Sequence, residues 1–248
     1  MKNREYKITD LLTSDGKRLN VDVDFTEDTD DFWVDYWGNN NYLGKIKKDP
    51  DSLSDGLRTS QYLLYRKKLP GLTERLVWEG MTLSSDVIIT MMNFYNYSVV
   101  KALKDDPRFR PKVEKFMHTI YRIGGEIVFP QHQFSVNQKR GNAANDRFDL
   151  TLLCIQRYYA HSEDLPSVPL KNLLEVISND SDFFDAFGSF KDYVDTFFLN
   201  DLVDNNYNTV LWIDNHERPK AHEYEILMEK QMEFLEKRSK RISDYEIN

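Results

Sequence analysis

The stretch IGGEIVFPQHQFSVNQKRGNAANDRFDLTLLCIQRYY, residues 123–159, holds the densest set of groups that could do chemistry. Asn137, Gln138, Lys139, Arg140 and Gly141 run consecutively, and Asp146, Arg147 and Asp149 follow within eight residues of Gly141. Asn and Gln offer both donors and acceptors. Arg140 carries a planar fork able to grip a phosphate or carboxylate with two hydrogen bonds. Gly141 would let a ligand approach the backbone or supply a positive φ. A helix opening at Asp146 would present free N–H groups, the usual place for an anion. On this reading 137–147 is a polar loop feeding an anion site made of Asn137, Gln138, Arg140, Gly141, Arg147 and Asp149. His132 lies on the approach, and His132 or Asp149 would handle protons. The competing reading is structural. Arg140 and Arg147 would pair with Asp146, Asp149 or other acids and pin the loop to the core. The sequence leaves both open.

Other chemistries find less support. Arg58 and Tyr62 share a helix face, with Arg66, Lys67 and Lys68 beyond, but no wider basic stripe extends it toward a nucleic-acid footprint. Asp22 and Asp24 point one way on a strand, followed by Asp28, Asp30 and Asp31. They read as the wet face of an edge strand before a Mg²⁺ site. The acids Asp182, Asp185, Asp192, Asp195, Asp201 and Asp204 suit caps and exposed positions. The five histidines, His118, His132, His161, His216 and His222, form no zinc-binding spacing. Cys154 falls on an apolar stripe and is expected to be a buried, inert thiol. As the single cysteine it can form no intramolecular disulfide. Neither a Walker loop, a GxGxxG nor a GxSxG occurs. No metal and no cofactor is expected. A net charge of -8 argues against extended nucleic-acid binding. The absence of a signal region or an apolar run of membrane length suggests a soluble, cytoplasmic protein without a membrane partner.

The elements that must position these groups are legible from pattern. Residues 19–25 alternate, with Val21, Val23 and Phe25 on one face, in an otherwise irregular first fifty residues. A helix is expected over 52–68, strands at 75–79 and 87–92, and helices over 97–104 and 111–122. Residues 126–129 read as a short strand closed by Pro130. The clearest helix is 146–159, with Phe148, Leu152, Ile155 and Tyr159 in one stripe, widened by Leu150, Leu153 and Cys154. Asp146 would be its N-cap and Asp149 a capping-box acid. Further helices are expected at 170–177, 189–201 and 217–242, a short aromatic helix or turn at 181–188, and a strand at 207–213. Lys237, Arg238, Lys240 and Arg241 suit the negative end of the last helix. With no repeat and no linker, the expectation is one α+β domain over 1–248, helix-rich, with a small and mainly antiparallel sheet. Fifteen Phe and fourteen Tyr supply its core.

Four blocks, DPDSLSDGLRTSQYLLYRKKLP from Asp49, GGEIVFP from Gly124, VNQKRGNAANDRFDLTLLCIQRYY from Val136 and SDFFDAFGSFKDYVDTFFLNDLV from Ser181, carry a resemblance. The chain resembles an uncharacterised family of Gram-positive bacteria, a domain of unknown function. That resemblance implies relatives and no reaction. Relatives tend to carry an acid where this chain has Leu153 and an arginine where it has Gln156, so those two polar groups are dispensable here. Two functions remain in view. One is a binding or interaction module, with Phe183, Phe184, Phe187 and Tyr193 as an aromatic docking surface, in a setting such as conflict with phages or mobile elements. The other is an enzyme acting on a nucleotide or nucleic-acid phosphate through the 137–147 loop. The partner is accordingly a protein or a phosphate-bearing ligand.

Overall fold

A computed structural model describes residues 6–12, 18–25, 61–62, 64–88, 107–108, 112, 116, 123–145 and 147–245. The expectations at Asp28, Asp30, Asp31, Arg58, His118 and Asp146, and over 97–104, lie outside these residues, as do the side chains of Asp22 and Asp24.

The fold is α+β, helix-rich, with little sheet. Strand β1 (Tyr6–Leu12) pairs antiparallel with β2 (Arg18–Phe25), so the expected strand at 19–25 has a partner in a segment read as irregular. A separate three-stranded antiparallel sheet has the order β3 (Val77–Trp78), β4 (Met81–Val87), β5 (Glu126–Pro130). Glu79 and Gly80 join β3 to β4, both at positive φ (48° and 81°). That geometry is a tight hairpin turn whose twist matches the strands. Strand β4 ends where the sequence pattern placed the start of a strand at 87. Its alternation of Thr82, Leu83 and Ser84 was overshadowed by the β-branched run that follows.

Six α-helices lie among the described residues: α1 (Val136–Ala143), α2 (Phe148–Tyr159), α3 (Val168–Asn179), α4 (Ser181–Asp185), α5 (Phe190–Thr196) and α6 (Ala221–Ser243). Each of α2, α3 and α6 turns one apolar stripe inward. Phe148, Leu152 and Ile155 are buried on α2, and Tyr224, Leu227, Met228, Leu235 and Ile242 on α6. Caps fix several starts. Ser189 Oγ accepts the Asp192 N–H at 3.1 Å, and Glu223 accepts the Lys220 N–H at 2.6 Å. Both satisfy N–H groups that a helix start leaves without partners.

Three expectations are corrected here. The polar loop at 137–141 is the helix α1. Gly141 therefore sits inside a helix, and the positive φ falls on Asn145 (51°), just past its C-terminus, where Asn tolerates the left-handed turn. The strand at 207–213 is a loop with one isolated bridge, Val203 to Thr209. The aromatic docking surface is core: Phe183, Phe184, Phe187 and Tyr193 are buried with Trp78, Phe129 and Phe197. Their rings meet at tilted and edge-on angles, with Tyr193 and Phe197 4.8 Å apart and Phe183 and Phe184 5.2 Å apart. Such pairs add about 0.5–1.5 kcal/mol each beyond area burial.

The sheet and α6 meet at Gly124, in a 3-10 turn (Ile123–Gly125) leading into β5. A Cβ built there would lie 2.7 Å from both the Leu235 carbonyl oxygen and the Ser239 nitrogen of α6. Backbone cannot yield as a side chain can. Gly124→Ala should therefore cost about 1–3 kcal/mol in urea denaturation, and an unchanged midpoint would refute this packing.

Cys154 is buried between α2 and α3, its Sγ 3.5 Å from the Leu170 carbonyl oxygen. Burial pushes its thiol up to about 12. At pH 8 it stays neutral and shielded, so a thiol reagent should label it slowly in the native state and rapidly in denaturant. Fast native labelling would contradict the α2 register.

Candidate functional site

The residues expected to form an anion site are drawn into several separate contacts. Arg147 precedes α2 and Asp149 lies in its first turn; both side chains are fully buried. The guanidinium and carboxylate meet fork to fork, Nε to Oδ1 at 3.1 Å and Nη2 to Oδ2 at 2.6 Å. The pair then holds the loop before α6. Arg147 donates to the carbonyls of Ile213 (3.1 Å) and Asn215, and Asp149 Oδ2 accepts the Trp212 N–H at 2.8 Å. A two-pronged pair with its outer positions filled by backbone is the arrangement that can offset the several kcal/mol needed to desolvate each ion. Asp149 also lies at the positive end of α2, where a carboxylate is favoured.

Arg140 is buried on α1 and donates through Nη1 to the Ile88 carbonyl at 2.6 Å. It caps the end of β4, while Arg147 serves the loop at 213–215. Asn137 donates through Nδ2 to Ser84 Oγ on β4 at 3.0 Å. Gly141 is half-buried within α1. Gln138 and Lys139 face solvent. Lys139 places its ammonium 5.2 Å from the ring centre of Phe134, which is 61% exposed.

His132 follows β5 and is held at both ring nitrogens. Its Nε2 lies 2.6 Å from Asp180 Oδ1, and its Nδ1 accepts the Phe134 N–H at 3.3 Å. With Nδ1 accepting, the proton sits on Nε2 and is donated to the carboxylate. Asp180, at the junction of α3 and α4, is buried. The imidazole thus ties the β5–α1 loop to the helical layer. Neither nitrogen is left for a general base in this arrangement.

Two further groups were not singled out as site residues from the sequence. Arg238, expected with Lys237, Lys240 and Arg241 at the negative end of the last helix, is fully buried. It donates to the carbonyls of Phe197 (3.0 Å), Gly124 (2.6 Å) and Glu126 (2.8 Å) and to the Tyr65 hydroxyl (3.2 Å). Its spacing carried the signal, since 235, 238 and 242 continue the stripe of α6. Asp180 carried no such signal, because its partner is 48 residues away. The basic face at 62–68 also turns out to be partly committed. Lys68 donates to the Asp195 carbonyl at 2.7 Å and lies over the rings of Phe198 and Tyr245. Burial lowers its pKa, opposed by Asp195.

Among the described residues no group of three or more His, Cys, Asp or Glu side chains could hold a metal ion, and no helix is long and apolar enough to cross a membrane. A model of a family of unknown function, DUF6994, matches residues 19–242. The chain belongs to that family. Membership in DUF6994 agrees with the resemblance to an uncharacterised family and brings no reaction with it. No curated protein and no solved structure matches the chain.

The Arg147–Asp149 pair makes a sharp prediction. Arg147→Ala and Asp149→Ala should each destabilise by about 3–5 kcal/mol, because either change strands a buried charge. The double variant should lose clearly less than the sum. A double-mutant cycle by urea denaturation checks this; additive losses near zero would mean that the pair is open to solvent.

Proposed function

We propose that this member of the family is a binding module that docks a partner protein through the β5–α1 loop. The supporting observation is what that loop turns outward. Arg140, Arg147 and Asp149 are directed into the interior, whereas Phe134 projects a large apolar ring into solvent with Lys139 against it. Gln131, His132, Gln133 and Gln138 surround it as exposed polar groups. An apolar anchor inside a polar rim is the usual anatomy of a recognition patch. The His132–Asp180 bond holds the backbone under Phe134 in place, which lowers the ordering cost of docking. The protein is inferred to act in solution in the bacterial cytoplasm. Conflict with phages or mobile elements is the setting suggested by an orphan bacterial family.

The alternative, an enzyme or ligand binder that grips a nucleotide or nucleic-acid phosphate through Asn137, Gln138, Arg140 and Arg147, is less favoured. It would have to withdraw Arg140 from Ile88 and Arg147 from Asp149, stranding buried groups at about 1–3 kcal/mol each or more.

Burying a Phe ring contributes about 1.5–3 kcal/mol, so losing it weakens binding roughly tenfold to a hundredfold. The test compares wild type with Phe134→Ala in affinity capture from the native host, followed by thermal shift with inorganic phosphate and nucleotides. The proposal expects a captured protein that the variant releases, equal melting temperatures for the two chains, and no shift with phosphate or nucleotides. A melting temperature raised by phosphate or nucleotide, and lost in Arg140→Ala, would overturn it in favour of the phosphate-directed reading.

A further inference from the structure

We draw no further inference here: the strongest candidate, the open cleft of about 510 Å³ between the β3–β4 turn and α4, is a cluster of the carboxylates of Glu79, Asp182 and Asp185 beside Met81 and Ala186, and nothing in the structure shows what covers it.

Discussion

One buried guanidinium, that of Arg238, ties four separate parts of the chain together through hydrogen bonds. Among the described residues β5 is an edge of the three-stranded sheet, with no further strand on its far side. Gly124 and Glu126, two residues apart, point their carbonyls the same way, and Arg238 Nη1 takes both. Its Nε takes the Phe197 carbonyl beyond α5, and its Nη2 meets the Tyr65 hydroxyl. Burial pulls Arg238 below the ordinary arginine range, opposed by Tyr65, Glu126 and Tyr193. Desolvating such a cation costs several kcal/mol. Four hydrogen bonds from a charged donor, each about 1.5–3 kcal/mol, offset it. Gly124 is what lets α6 come close enough for these bonds to form.

The same physics recurs with Arg140 and Arg147. Arg140 takes the carbonyl just past β4, at the end of the sheet where β5 begins. Arg147, neutralised by Asp149, takes carbonyls of the loop that leads into α6. A chain with little sheet and several irregular connections has many backbone groups to satisfy, and arginine reaches them with a multi-donor fork. Turning Arg140, Arg147 and Arg238 inward supplies donors to backbone carbonyls that the sheet and helices leave over. It also explains why Arg140 and Arg147, the charged forks of the expected anion site, face inward.

Much of the frame was legible. Helices α2, α3 and α6 announce themselves by apolar periodicity, and β5 by a short apolar run between Gly125 and Gln131. What stayed hidden has physical causes. Helix α1, VNQKRGNA, has no apolar stripe and contains a glycine; it is held by Asn137 on Ser84 and Arg140 on Ile88, contacts more than fifty residues away in sequence. The segment at 207–213 has strand-like composition, yet side chains satisfy its backbone. Gln156 binds both the Tyr207 carbonyl and the Thr209 N–H, and Asp149 binds the Trp212 N–H. Gln156, standing where relatives tend to carry an arginine, thus has a local structural task. For the candidate site, residue types were readable but direction was not. Whether an arginine faces a ligand or a carbonyl depends on tertiary partners.

The buried arginines hold the fold by donating to its backbone carbonyls. Replacing Arg238 by Met, which keeps length and apolar bulk but removes every donor, tests this most directly. Urea denaturation should show a loss of about 3 kcal/mol or more, because three backbone carbonyls and one hydroxyl would be left without their donor. Wild-type or greater stability in Arg238→Met would show that the fold does not depend on these bonds. It would mean that the cation is a burden which the fold carries for some other purpose.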